Sequence, residues 1–249
     1  MQLLMNTKHF LAVHKPSGMI THRNEWTRPH EIPALQLARN IAGTKLYPVH
    51  RLDRSTSGVL MFAKSSEAAA SLRRAFDEGI IQKTYLALVR GWVEKDQGLI
   101  RPVQGKPARS MLEVISHYEA HFPVGRYASA RYSLLKLSPL SGRTHQLRRH
   151  LAGISHPIIG DTIHGDRDHN RLFRDDFGYS RLWLFCTRLS CTNSHSETLN
   201  LHSHSKSVPV NFDVCCGLPH RIRQIFGYKH SVLKLRSLLD GKSSQLSSS

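Results

Sequence analysis

The sequence predicts an α+β domain built on a mixed, largely antiparallel sheet flanked by helices and loops. Three observations predict it. Apolar runs of strand length interleave with stretches of helical periodicity, but no regular β-α-β alternation connects them. No internal repeat and no long linker divides the 249 residues. Hydrophobic residues make up 40% and charged residues 21%, the composition of a chain that buries a core rather than one that stays disordered. We read residues 1–235 as one domain. Residues 236–249 read as a polar tail, because Gly241 to Ser249 offers too little apolar surface to order itself.

Taken in order, Lys8 to His14 reads as a short strand closed by the turn Lys15-Pro16-Ser17-Gly18. Pro33 to Ala42 has helical spacing at Leu37 and Ile41, with Gly43 as its stop. Gly58 to Ala63 is a continuous apolar strand. Ser65-Ser66 then cap a helix that carries Ala68, Leu72, Ala75 and Phe76 on one face and ends at Gly79. Thr84 to Val89 is the next strand. From Trp92 to Pro123, Gly98, Pro102, Gly105, Pro107 and Pro123 punctuate the chain, so this region reads as loops and short strands. Ala130 to Leu137 alternates as a strand around Tyr132 and Leu134. Thr144 to Ile154 is helical, with Leu147, Leu151 and Ile154 turned inward. Leu182 to Leu189 is a strand and Pro219 to Phe226 a helix.

Apolar runs such as Val59 to Ala63 are far too short to span a bilayer, so no membrane role is expected. Met1 to Asn6 lacks a basic start, a long apolar stretch and a small-residue cleavage site, so a cytoplasmic rather than a secreted location is expected. Cys186, Cys191, Cys215 and Cys216 show no C-x-x-C spacing, and adjacent Cys215 and Cys216 do not readily bridge; four reduced thiols fit best. The 35 Lys and Arg outnumber 18 Asp and Glu, a net charge of +17. Such an excess attracts polyanions, nucleic acid first among them, although a solvated basic surface explains part of it.

Two tracts carry residues able to do chemistry. In His50-Arg51-Leu52-Asp53-Arg54-Ser55-Thr56-Ser57-Gly58, an acid stands between two arginines at the mouth of a strand, and nearby cations keep a carboxylate ionised. A surface salt-bridge turn has the same composition. In Ser141-Gly142-Arg143-Thr144-His145-Gln146-Leu147-Arg148-Arg149-His150, a turn delivers Arg143 and a helix presents His145, Arg148 and Arg149 within about two turns. This array can grip phosphates or offer a guanidinium to an internal carboxylate. A solvated basic face is the alternative for Arg149 and His150. Asp161 and Asp166 flank His164, yet a metal site needs at least three convergent donors, and we expect none. Trp26, Trp92 and Trp183 fit core positions better than base-stacking ones.

HRLDxxTSGxLxFAK, then Lys83-Thr84-Tyr85, then SGRTHQLRxHLA, then His156-Pro157-Ile158-Ile159-Gly160-Asp161 occur in the order found in the RluA-type pseudouridine synthases, which the chain resembles from about Leu11 to Leu189. Arg148-Arg149-His150 and His164 to Arg171 resemble the tRNA-directed TruC-type branch of that family. The resemblance implies a pseudouridine-synthase catalytic domain and an isomerisation that moves the ribose C1′ bond from uracil N1 to C5, with no redox change, group donor, metal or cofactor. It implies three catalytic residues: Asp53 as the acting carboxylate, by a nucleophilic or a glycal route, Tyr85 stacked on the target base with help in removing the C5 proton as a second role, and Arg148, with Arg143 second, as the salt-bridge partner of Asp53. Arg51 is a candidate to fill the space of the flipped base or hold a phosphate, with simple structural pairing as the alternative, and Arg54, Arg143, His145, Gln146 and Arg149 are candidate substrate contacts. The implied substrate is a uridine of tRNA, at position 65 near the acceptor and T stems, with no obligatory protein partner evident. Ribosomal RNA is the alternative substrate within the same class. An inactive RNA-binding protein is an alternative from another class, against which the joint presence of Asp53, Tyr85 and Arg148 argues.

Overall fold

The structure, a computed structural model, describes residues 1–23, 25, 27–94, 97–100, 107–121, 123–191 and 212–216. A hairpin opens it. Strands β1 (Gln2–Asn6) and β2 (Phe10–Lys15) are joined by a turn in which the Thr7 hydroxyl accepts the N–H groups of His9 and Phe10. Helix α1 (Ala34–Ala42) buries Ala34 and Ala38 one turn apart, and Gly43 in the left-handed region closes it by donating to Arg39 O. Strand β3 (Tyr47–Pro48) leads to β4 (Ser57–Ala63), every residue of which is buried.

Helix α2 (Ser66–Asp77) begins where the Ser65 hydroxyl accepts Ala68 N–H, and Ala68, Leu72 and Ala75 form its buried stripe. Then follow β5 (Gln82–Arg90), β6 (Gln97–Ile100), β7 (Ser110–Ala120) and β8 (Ala130–Pro139). Helix α3 (Gln146–Gly153) packs on β8, and α4 (Arg167–Asp175) is capped by the Asp166 carboxylate, which accepts from Asp168 and His169 N–H. Strands β9 (Leu184–Cys191) and β10 (Phe212–Cys215) complete the described chain.

One sheet runs in the order β1-β2-β4-β9-β5-β8-β7-β6, with β10 extending along β9 and β3 along β4. Its described pairings are antiparallel except one, a short parallel step of Ser57 against Phe185 and Gly58 against Cys186. The mixed, largely antiparallel sheet is thus as expected. The core gathers β2, β4, β5, β8 and β9 with α2. At one end Trp183 is fully buried, its ring against Phe173 of α4, Tyr179 and Phe185.

Several local expectations need correction. The region 92–123 is not loops and short strands throughout. Residues 110–120 form one long strand with a bulge between Val114 and Ser116, paired along its length with β8. The glycines and prolines that suggested loops lie outside it, at 98–107 and at 123. Lys15 is the buried last residue of β2 rather than part of a turn, and Ile154 is 41% exposed because α3 ends at Gly153. Strand β1 and helix α4 were not anticipated. The helix at 219–226 and the tail at 236–249 lie outside the described residues.

Gly58 marks the point where β4 meets β9. Its φ of +126° suits glycine, and a Cβ there would overlap the Cys186 carbonyl. Gly43 has a left-handed φ but open space around it. Gly58→Ala should therefore destabilise the fold by about 3 kcal/mol, from overpacking and backbone strain together, and Gly43→Ala by about 1 kcal/mol from strain alone. Urea unfolding midpoints of the two variants check this; equal losses would contradict the role given to the β4–β9 junction.

Candidate functional site

Asp53 sits in the loop that enters β4, and three sets of contacts hold that loop. Thr21 Oγ1 bridges the N–H and the carbonyl of Leu52 at 3.3 and 3.1 Å. Ser17 Oγ donates to Ser55 O, and Gly18 N–H donates to Arg54 O. Lys15, fully buried, places its Nζ 2.8 Å from Met19 O, 3.0 Å from Pro16 O and 3.3 Å from Arg54 O, so three carbonyls meet the three donors of one ammonium. Burial pulls Lys15 down to about 7, against the attraction of Asp53. The turn after β2 is in this way stitched to the loop that carries the carboxylate.

The facing wall is the end of β8, the loop from Leu140 to His145 and the first turns of α3. Gln146 organises it. Its Oε1 accepts from Ser141 Oγ and Arg143 N–H, and its Nε2 donates to Arg109 O and Ser110 Oγ. Both ends of this amide are thus engaged within the protein, and the side chain positions the loop. His150 is buried against Ser110 Oγ rather than lying on a solvated face. Arg148, only 4% exposed, makes a two-point contact with Asp161, Nε to Oδ2 and Nη2 to Oδ1, both 2.7 Å. Its remaining nitrogen, Nη1, lies 3.6 Å from Asp53 Oδ2. Burial pushes the Asp161 carboxyl up, but the Arg148 bonds and the N–H groups of His164 and Ile163 outweigh it and leave the group below its ordinary value.

Between these walls lies a cleft of about 820 Å³. Asp53, Tyr85, Arg51, Arg143, His145, Gln146 and Arg148 line it together, as do Lys83 and Leu184. Arg54 and Arg149 do not. Arg54 pairs with both oxygens of Glu31, and Arg149 is exposed on α3. Arg51 is exposed at the mouth, its Nη2 2.9 Å from Thr144 Oγ1. Tyr85, 8% exposed, stands on β5 opposite Cys186, and burial pushes its phenol well above the usual value, with Cys186 next and Asp53 in the same direction. The ring is neutral at any ordinary pH and offers a flat apolar face.

The side chains of Asp161, His164 and Asp166 are engaged with different partners. Asp161 holds Arg148, Asp166 caps α4 and pairs with Arg90 at 2.5 Å, and His164 faces His145. Among the described residues no group of three His, Cys, Asp or Glu converges as a ligand set. No described helix is long and apolar enough to cross a membrane. Sequence reasoning missed Lys15 and the role of Asp161. The first had no signal beyond a lysine ending an apolar strand, and the second stood in a motif with nothing local to name its partner.

Known proteins match this chain over most of its length. Residues 9–153 match the family described as RNA pseudouridylate synthase. The tRNA pseudouridine synthase C of Vibrio parahaemolyticus is 38% identical over 206 residues, covering 76% of this chain and 83% of that protein. Its counterpart from Yersinia pestis is 42% identical over 205 residues, covering 76% and 80%. Among solved structures, human RNA Pseudouridylate Synthase Domain Containing 1 superposes with a TM-score of 0.66 at 26% identity, covering 97% of this chain and 95% of that one.

His50, first residue of the Asp53 tract, gives the fold around the cleft a pH dependence. Its Nε2 accepts Met61 N–H at 3.0 Å and its ring lies 4.6 Å from Phe76. Burial, with Lys83 second, takes the imidazole down to about 3. The unfolded chain therefore binds this proton first as the pH falls. Stability present above the ordinary histidine value near 6.5 is lost between there and 3, at about 1.4 kcal/mol per pH unit for this one group. Urea unfolding at pH 7, 6 and 5 should show a slope in His50→Gln that is shallower than wild type by that amount. An unchanged slope would contradict the assignment.

Proposed function

The chain belongs to the RNA pseudouridylate synthase family, and from that premise we propose that it converts a uridine of tRNA to pseudouridine with Asp53 as the group that acts on the ribose. The observation that carries the assignment is the position of Asp53. It is 21% exposed in a cleft roomy enough for a flipped nucleotide, with a buried guanidinium 3.6 Å away.

The reaction breaks the bond from C1′ to N1 and joins C1′ to C5. A nucleophilic and a glycal route both require a carboxylate beside the sugar, and the Arg148 guanidinium places a fixed positive charge 3.6 Å from Asp53 Oδ2. Tyr85, neutral and buried, supports stacking on the detached base and not base catalysis. Arg51 and Arg143 at the rim suit phosphates on either side of the flipped nucleotide. Arg149 suits phosphate contact farther along α3, whereas Arg54 is partly neutralised by Glu31. Gln146 acts by shaping the wall. With a net charge of +17 the protein reads A-form RNA largely through backbone and shape.

The names of the relatives support tRNA as substrate, and the resemblance of the Arg148-Arg149-His150 and His164 to Arg171 tracts to the tRNA-directed branch supports position 65. Free Cys186, Cys191, Cys215 and Cys216 support a reducing, cytoplasmic location. Asp53→Asn should lower pseudouridine formation by at least about 10³-fold while RNA affinity stays within a few fold, since phosphate contacts survive. Pseudouridine mapping on unmodified tRNA transcripts and on ribosomal RNA fragments checks the substrate. Turnover by Asp53→Asn overturns the aspartate assignment, and modification of ribosomal RNA alone overturns tRNA.

A further inference from the structure

We propose that His145 and His164 form a proton relay behind Asp53 that carries the proton released from uracil C5 out of the cleft to solvent. The proposal rests on the reading of Asp53 as the group that acts on the ribose. Its basis is a line of four atoms. Asp53 Oδ2 lies 3.9 Å from His145 Nε2, and the other nitrogen of that ring, Nδ1, lies 3.3 Å from His164 Nε2. The two imidazoles meet edge to face, with centroids 5.4 Å apart. The 3.9 Å separation is longer than a hydrogen bond, as such contacts commonly are before substrate binds.

The backbone supports this arrangement. His145 has φ 54° and ψ 25°, a left-handed conformation that costs a non-glycine residue about 1 kcal/mol. It stands at the N-cap of α3, yet its side chain makes no capping hydrogen bond. The ring is directed at Asp53 and His164 instead. His164 is fixed in turn, because its N–H donates to Asp161 Oδ1, the carboxylate that grips Arg148. It is only partly buried, so the far end of the relay meets water.

Both rings are poised to pass a proton. Burial is the largest influence on each and lowers it, Arg148 and Arg149 lower it further, and Asp53 opposes them, joined by Asp161 at His164. His164 also lowers His145. Neutral imidazoles at pH 7 each keep one N–H and one lone pair, as a relay requires.

The chemistry balances. When C1′ has joined C5, that carbon carries both ribose and hydrogen. The C5–H bond breaks, its electron pair returns to the ring, and the Asp53 carboxylate takes the proton. His145 Nε2 accepts it from Asp53 while Nδ1 passes its own proton to His164 Nε2, and His164 Nδ1 releases one to water. N1 gains a proton from water, so one leaves and one enters.

Multiple-turnover pseudouridine formation by the full chain, on tRNA transcripts carrying hydrogen or deuterium at uridine C5, tests this between pH 5 and 8.5, because the relay must clear Asp53 before the next turnover. His145→Gln and His164→Phe should slow the reaction on the order of 10²-fold with RNA affinity unchanged, and both should show a larger deuterium effect than wild type. His164 lies toward the surface, so its variant reports even where the His145 variant folds poorly. A rate equal to wild type, or a slower rate with an unchanged deuterium effect, overturns the relay. Asp53→Asn measured alongside separates the two readings. If it retains turnover the aspartate assignment and the relay both fall, whereas an inactive Asp53→Asn beside unaffected histidine variants overturns the relay alone.

Discussion

Arg148 and Asp161 are buried against each other in a two-point contact, and the third nitrogen of the same guanidinium faces Asp53. Ion pairs of this kind add little net stability over apolar packing, but losing one partner strands a charge and costs about 3–5 kcal/mol. Their value here lies in geometry. The pair ties α3 to the segment after Ile159, and Asp161 Oδ1 also accepts the N–H groups of Ile163 and His164, which places His164 against His145. One buried carboxylate thus sets the positions of a guanidinium and an imidazole on the side of the cleft opposite the Asp53 loop.

That loop is held by independent means. The Lys15 ammonium gathers three carbonyls, one of them from Arg54, and Thr21 clasps Leu52. Gly58 lets β4 approach β9 at the parallel step just beyond. Asp53 is consequently presented by a rigid strand mouth to a rigid helix start, the arrangement a pre-organised charged site needs. At the rim of the cleft Arg51 and Arg143 are exposed, and Arg51 Nη2 donates to Thr144 Oγ1 across it.

Much of this was legible in the sequence because the informative patterns are local. The apolar run of β4, the Ser65 cap and the Gly43 stop announce their elements directly. The two charged tracts also declared about half of the cleft lining, although Arg54 and Arg149, both candidate substrate contacts, lie outside it. Pairings between distant segments were not legible. Nothing near Asp161 announces Arg148, and nothing near Lys15 announces Arg54. Likewise β7 was obscured by the glycines and prolines that precede it, although Met111 to Ala120 alternates well enough to pair with β8. Gln146 was a candidate substrate contact through the family resemblance, yet its amide is saturated by the loop it shapes.

The Arg148 guanidinium serves Asp161 and Asp53 at once. Arg148→Lys tests it most directly, because a lysine keeps the charge but cannot make a two-point contact with Asp161 and still reach Asp53. Measured under single-turnover conditions with saturating tRNA transcript, the variant should form pseudouridine at least about 10²-fold more slowly while binding the transcript as tightly as wild type. A rate within a few fold of wild type would contradict the claim.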